Sequence, residues 1–160
     1  MSDARQTGSI SPVYTKLKDL HLTTELVKLG KANVTIVVPA SGIYHAHASR
    51  IEQAIEERCG VRVPIATDDG PAGSVPISGN LILFGNRSTH RTIEELYNRY
   101  YTLLDLRYPG AEGFEVRTLH NPFGNGFNVI YAGASDAAGV DAATQVLVQK
   151  LQKAEAGNGE

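Results

Sequence analysis

GFEVRTL (residues 113–119) and FNVIYAG (residues 127–133) are the two segments that decide the predicted fold. Both are interpreted as short strands that alternate apolar with other side chains. The turn Gly124-Asn125-Gly126 between them supplies residues that tolerate positive φ. These segments predict an antiparallel hairpin, and the pattern of residues 137–153 predicts a helix after it.

The start of the chain predicts a second pair of strands. Residues 34–38 form a β-branched run that stops at Pro39. With residues 22–27 and the turn at 28–31, they predict a hairpin whose second strand is buried on both faces. A helix over residues 14–29 is the alternative.

A helix and an edge strand are predicted next. The apolar residues of segment 44–59, including Cys59, keep helical spacing, and Gly60 is placed to end that helix. Residues 61–65 then alternate as a half-buried strand. Pro64 indicates an edge of the sheet, because proline has no N–H for the ladder. Residues 67–79 predict a loop.

The middle of the chain predicts a central strand and a second helix. Residues 81–84 are a short continuous apolar run, as in a strand buried on both faces. Thr92 and Glu95 have the spacing of a capping box. Helical periodicity continues from there to the sequence Tyr108-Pro109-Gly110, which stops it.

The predicted order is therefore ββ-α-β-β-α-ββ-α. It describes an α/β (α+β) fold with a mixed β-sheet and helices packed mainly on one face. We expect residues 13–153 to form a single domain, between flexible ends at residues 1–12 and 154–160.

Composition excludes several kinds of function. The chain has 160 residues and a formal net charge of −2, so it has no strong field to attract nucleic acid or an anionic membrane. Cys59 is the only cysteine, which excludes an intrachain disulfide and a cysteine-based metal site. No segment resembles a membrane span or a signal peptide. We expect a soluble domain without a cofactor, although a parent chain could be secreted.

The best polar cluster for binding a ligand follows the predicted central strand. Asn86, Arg87 and His90 lie there, and a crevice beyond the carboxyl end of a strand is a common ligand position. A loop that enters a helix explains the same residues without a ligand. Tyr101 lies off the predicted buried stripe that contains Tyr100, and it could stack on a sugar ring.

Other groups of reactive residues have simpler explanations. His45 and His47 lie about 200° apart on a helix, so they are predicted to be a surface pair and not metal ligands. The glycine-containing turns lack the spacing of a phosphate loop. The adjacent acids at 56–57, 68–69 and 94–95 look like solvated faces or turn residues. No catalytic residue is predicted.

Several segments, read together, resemble a known accessory domain. Residues 28–40, 51–65 and 81–86 are similar to the domain that precedes the catalytic barrel in β-N-acetylhexosaminidases and α-glucuronidases. In that domain a helix ends in a Thr-Gly or similar step before a Leu-Pro-Ile-like strand; here Cys59-Gly60 precedes Val63-Pro64-Ile65. Residues 113–151 resemble its final hairpin and helix.

The resemblance implies a non-catalytic domain that packs on the catalytic domain of a carbohydrate-active enzyme. The acid and base residues of those enzymes are expected in a longer parent chain, because no position here matches them. Two alternatives stay open: a stand-alone module that binds a glycan or small ligand around Asn86, Arg87, His90 and Tyr101, and a small nucleotide-binding domain.

Overall fold

The computed structural model of the protein describes residues 19–20, 22–69 and 78–155. Its strands are β1 (Val27–Lys28), β2 (Lys31–Ala32), β3 (Val34–Val38), β4 (Ile65–Thr67), β5 (Asn80–Gly85), β6 (Phe114–Leu119) and β7 (Val129–Ala134). Its helices are α1 (His45–Cys59), α2 (Arg91–Asn98) and α3 (Ala137–Lys153). The order of helices and strands confirms the predicted fold class.

Five of the strands form one sheet in the order β4-β3-β5-β7-β6. The first four are parallel to one another, and β6 pairs antiparallel with β7, so the sheet is mixed as predicted. β5 is the central strand: Ile82 lies opposite Ile36 of β3 on one side and Ile130 of β7 on the other. Every residue of β5 is buried.

Two hydrophobic cores lie on opposite faces of the sheet. Successive side chains of a strand point to opposite faces. Ile36 and Ile82 pack with α1 and α3 on what we call the α1/α3 face. Val37 and Leu83 pack with α2 on the other, the α2 face. Two of the three helices therefore share one face, in agreement with the predicted arrangement.

The first hairpin differs from its prediction. β1 pairs antiparallel with β2, and Leu29 and Gly30 form the turn with φ values of 51° and 70°. The buried run at 34–38 is β3, an inner strand of the main sheet, and not the second strand of this hairpin. The alternative helix is wrong for residues 22–29, and residues 14–18 and 21 lie outside the described residues.

α1 ends where the sequence predicted. Gly60 has a φ of 72°, and its N–H donates to the Glu56 carbonyl at 2.7 Å, which closes the last turn. Cys59, placed on the apolar stripe by its spacing, is exposed. β4 starts at Ile65, later than predicted. It is the outermost strand of its side, as Pro64 indicated.

α2 is shorter than predicted. It ends at Asn98, and the N–H groups of Tyr100 and Tyr101 donate back to the carbonyls of Tyr97 and Leu96. This pair of bonds closes the helix with Tyr100 in the left-handed region, at a φ of 64°. Tyr100 is 92% exposed, so its predicted place in the core is wrong.

Residues 99–113, which we call the outer segment, connect α2 to β6 without a helix or strand. Leu104 is buried on the α2 face, and its side chain fills the space that a side chain at Gly133 would need. Asp105 accepts the N–H groups of Arg107 and Tyr108 at 2.7 and 2.8 Å. These bonds hold the pKa of Asp105 below its usual value. The backbone of the outer segment is therefore well fixed.

The closing hairpin and helix match their predictions. β6 and β7 pair along their whole length, and residues 120–128 connect them. Gly124 and Gly126 in that connection have φ values of 70° and 90°. α3 has the predicted bounds. It is capped by Asp136, whose Oδ1 accepts the Gly139 N–H at 2.8 Å.

The predicted flexible ends fall almost entirely outside the described residues, as does most of the predicted loop at 67–79. Ala154 is described, and its carbonyl accepts two hydrogen bonds from the Arg58 guanidinium at 2.9 and 2.7 Å. Within the described ranges, no helix is both long and apolar enough to cross a membrane.

Candidate functional site

A crevice opens at the carboxyl ends of β3 and β5. These two strands are parallel neighbours, but β3 leads to α1 on one face and β5 leads to α2 on the other. Such a point of divergence is where open α/β sheets commonly bind ligands. The crevice has a volume of about 510 Å³, and its polar lining includes Ser41, Asp68, Arg87, Ser88, His90 and Arg91.

Asp68 ties the two walls of the crevice together. Its Oδ1 accepts the Ala40 N–H at 3.0 Å, and its Oδ2 accepts the Arg91 N–H at 2.9 Å. Ala40 belongs to the connection before α1, and Arg91 is the first residue of α2, where the helix dipole favours a negative charge. Both carboxylate oxygens of this buried residue are therefore engaged by the main chain. A phosphate at this helix end would meet a carboxylate already bound there.

His90 is buried in the wall of the crevice, with only 1% of its surface exposed. Its Nε2–H donates to the Val37 carbonyl at 2.9 Å. Nδ1 therefore carries the lone pair, and it accepts the Thr92 N–H at 3.2 Å. His90 is the N-cap of α2. The predicted capping box at Thr92 and Glu95 is wrong, because the imidazole nitrogen supplies the cap from two residues earlier.

The surroundings of His90 favour its neutral form. Nδ1 lies 3.8 Å from Asp68 Oδ2 but has no proton to donate to it. Burial lowers the pKa of His90 below its ordinary value of 6.5, and the Val37 hydrogen bond and the Asp68 charge oppose that shift only in part. A neutral imidazole with both nitrogens bonded to the main chain is poorly placed to exchange protons with a ligand.

Asn86 and Arg87 have different roles at the end of β5. Asn86 is buried, and its Nδ2 donates to the Ala134 carbonyl at 2.9 Å, while its Oδ1 accepts the Ser88 N–H at 2.9 Å. It joins the ends of β5 and β7. Arg87 is half-buried and lines the crevice, with its guanidinium 4.3 Å from the centre of the Tyr97 ring.

Tyr101 is separated from the other residues of the predicted ligand cluster. It is half-buried and packs against the core on the α2 face. The prediction assumed a continuous helix through this region, but α2 ends at Asn98. The structure brings Arg87 and His90 to the crevice, places Asn86 among buried main-chain groups, and leaves Tyr101 outside the lining.

Gly85, at the end of β5, is required by close packing. Its φ is 91°, and the Tyr44 ring and the Thr89 hydroxyl occupy the space that a side chain would take. The Tyr44 O–H donates to Thr89 Oγ1 at 3.2 Å. Burial raises the pKa of Tyr44, and the bond to Thr89 opposes that shift. This geometry fits the ordinary turn that the sequence favoured over a phosphate loop.

The two histidines of α1 lie in different environments. His45 is exposed, whereas the His47 side chain lies between α1 and α3, with Nε2 2.5 Å from Asp141 Oδ1. The side chain of His47 is only 14% exposed, so the prediction of a surface pair is wrong for it. Burial of His47 follows from the packing of α3 on α1, which the spacing within one helix does not reveal.

The remaining acidic candidates are not assembled into a reactive cluster. Glu56, Glu57 and Glu94 are exposed, and Glu95 pairs with Arg99 at 2.6 Å. Over the three described ranges, no group of three or more His, Cys, Asp or Glu side chains is placed to hold a metal ion.

Asp68 is the residue that the sequence analysis undervalued, since it was assigned to a turn. One signal was present: an acidic residue directly after a strand lies where the carboxyl ends of a parallel sheet gather.

Neither a protein-family model nor a curated protein matches the sequence.

Proposed function

We propose that the protein is a non-catalytic accessory domain of a carbohydrate-active enzyme, either a glycoside hydrolase or a polysaccharide lyase, and that it packs on the catalytic domain of that enzyme. One observation carries the proposal: the buried polar side chains of Asp68 and His90 in the crevice lining, and of Asn86 at the end of β5, all bond the main chain. Their role in holding the fold accounts for them without chemistry.

The carboxylates at the crevice are poorly suited to glycoside hydrolysis. That reaction typically needs two carboxyl groups that flank the substrate, one to donate a proton and one to attack or activate water. Asp68 and Glu94 line the crevice. Both oxygens of Asp68 already accept main-chain N–H groups, and Glu94 is exposed to solvent.

The outer segment supports a packing role. It exposes the apolar side chains of Tyr100, Leu103, Leu106 and Tyr108, and both leucines are 63% exposed. Because Asp105 and the neighbouring bonds fix its backbone, little ordering of the chain is needed on association. Large apolar side chains that stay exposed on a fixed segment support an interaction surface there.

The class of partner comes from the resemblance described for residues 28–40, 51–65, 81–86 and 113–151. In β-N-acetylhexosaminidases and α-glucuronidases, the similar domain precedes a catalytic barrel. We therefore propose such a catalytic domain as the surface on which the outer segment packs.

Turnover by the purified chain tests the proposal. The chain is incubated with a panel of aryl glycosides and uronic-acid polymers, and no product above the buffer control is expected. Asp68→Asn and Glu94→Gln are assayed beside it. Turnover by the wild-type chain that either substitution abolishes would contradict the non-catalytic role.

A second candidate function is supported by the position of the crevice at the divergence of β3 and β5. A stand-alone module would bind a glycan or small polar ligand there, with Arg87 as the main charged contact. Saturable binding that Arg87→Ala weakens about tenfold or more would favour it, since a hydrogen bond to a charged group contributes roughly 1.5–3 kcal/mol. Arg99→Ala is the matched control, because Arg99 also lies over an aromatic ring, that of Phe123.

A further inference from the structure

β6 forms the outer edge of the sheet on the side opposite β4. It pairs with β7 on its inner side, and in the described part of the chain no strand pairs with its outer side. An open edge presents main-chain N–H and C=O groups that can pair with another strand. Phe114, the first residue of this strand, is 41% exposed.

The side chains of β6 are divided between the two faces. Glu115 and Arg117 lie on the α2 face, where Arg117 is opposite Tyr131 and Glu115 accepts the Tyr131 O–H at 2.9 Å. Val116 lies on the α1/α3 face and packs against that core. The edge therefore carries one acid and one base on the same face, two residues apart.

The two charges lie close together and are accessible. Arg117 Nη1 is 3.6 Å from Glu115 Oε1, and the side chains are 55% and 26% exposed. Charged side chains on an edge strand usually prevent pairing with other strands. A pair of opposite charges still allows pairing with an antiparallel strand that presents the same two charges in the reverse order, because each charge then meets its opposite.

We propose that β6 pairs antiparallel with β6 of a second copy of this chain, about a two-fold axis at Val116. In this register Glu115 of each copy lies opposite Arg117 of the other, so two attractive cross-strand pairs form on the α2 face. Val116 lies opposite its own equivalent, and Phe114 lies opposite Thr118, on the other face. The two five-stranded sheets become one continuous sheet with a self-complementary interface.

The charges select this register over its neighbours. A two-fold axis at Glu115 would set glutamates opposite each other, and an axis at Arg117 would do the same with arginines. A shift of one residue would set side chains of opposite faces against each other, which the pleat does not allow. In-register parallel pairing would also oppose like charges, which destabilises a pair.

The experiment is sedimentation of the full chain over a range of concentrations. The wild type is expected to show a reversible equilibrium between monomer and dimer. Arg117→Glu is expected to raise the dimer dissociation constant roughly 30-fold, because two cross-strand pairs change from attraction to repulsion. Lys150→Glu makes the same change of charge at an exposed position of α3 and is expected to have little effect.

Mixing two variants gives the decisive result. Arg117→Glu and Glu115→Lys each place like charges across the two-fold axis, so each variant alone is expected to be mainly monomeric. Mixed together, they restore both opposite-charge pairs in a heterodimer, and dimers are expected to reappear. Circular dichroism checks that each variant is folded, since Glu115 also holds the Tyr131 hydroxyl. If Glu115→Lys fails to fold, Glu115→Gln keeps that acceptor and is expected to weaken the dimer less than Arg117→Glu.

Three results would overturn the proposal. First, the wild type could stay monomeric at every concentration at which it remains dissolved. Second, Arg117→Glu could leave the dimer unchanged. Third, the two variants could both be folded and stay monomeric when mixed. The pairing is independent of the partner in the proposed function, since it uses β6 and not the outer segment.

Discussion

In both the crevice and the outer segment, polar side chains bond the main chain, but the two regions differ in what they expose to solvent. In the crevice lining, the buried polar side chains of Asp68 and His90 bond the main chain, as does that of Asn86 at the end of β5. In the outer segment, Asp105 also bonds the main chain, but Leu103 and Leu106 face solvent. The polar side chains at the ends of the strands are thus engaged by the main chain, whereas the segment without regular structure exposes apolar side chains, and for this reason we propose the outer segment as the contact surface.

The largest effect is expected inside the outer segment, from Leu104→Ala. Leu104 is buried against Gly133, so its truncation leaves a cavity and should lower the free energy of unfolding by about 3 kcal/mol. Leu103→Ala, at the neighbouring exposed position, should change it by less than about 0.5 kcal/mol. Urea unfolding of the two variants checks this contrast. Equal losses would mean that Leu103 is also part of the core and not of a contact surface.

Asp68→Ala should give the next largest effect, at the crevice. It removes the acceptor for two main-chain N–H groups, those of Ala40 and Arg91, and should cost about 2 to 3 kcal/mol. Asp69→Ala is the matched control, because Asp69 is exposed, and it should cost less than about 0.5 kcal/mol. A loss of stability from Asp69→Ala as large as that from Asp68→Ala would break the structural account of the crevice.

His90 should make the stability of the folded chain fall in acid. Burial lowers its pKa in the folded state, whereas the unfolded chain keeps the ordinary value of 6.5, so the unfolded chain takes up the proton first. The contribution is complete above about pH 6.5 and is lost as the pH falls below it.

Urea unfolding over a series of pH values measures this slope. His90→Asn, which keeps a side-chain acceptor for the helix cap but does not titrate, should flatten it below pH 6.5. The same slope in the wild type and in His90→Asn would show that His90 is not the group responsible.

The smallest effect is expected from Tyr100→Gly, where the outer segment leaves α2. Tyr100 is exposed and has a φ of 64°, a conformation that costs other residues more than glycine. The substitution should raise the free energy of unfolding by about 1 kcal/mol, as measured by the shift of the unfolding midpoint. A loss of stability would mean that the Tyr100 side chain makes contacts that its exposure does not reveal.

The comparison also explains what the sequence could predict. α1 and α3 were placed correctly because local signals mark their ends: Gly60 closes α1, and α3 keeps a regular stripe to its last turn. The end of α2 was missed because Tyr100 adopts the left-handed conformation at a position where a glycine usually marks the end of a helix. Periodicity beyond that point was misleading, since Leu104 is buried without belonging to a helix.

The site was harder to predict because its bonds join distant parts of the chain. Asp68 bonds Ala40, 28 residues earlier, and Arg91, 23 residues later. His90 reaches the carbonyl of Val37 on a neighbouring strand. Arg87 and His90 follow a strand in the sequence, and the structure places both in the crevice lining. The local sequence does not reveal whether such side chains face a ligand or the main chain.

Amide hydrogen exchange at Ala40 and Arg91 tests most directly whether the crevice is held by its polar side chains. In the wild type both amides should be protected, and in Asp68→Ala both should exchange at least about tenfold faster than in the wild type, since 1.4 kcal/mol is a factor of ten. Asp69→Ala should leave both rates unchanged. Unchanged exchange at Ala40 and Arg91 in Asp68→Ala would contradict the account, because the Asp68 carboxylate would then be free for a ligand or for catalysis.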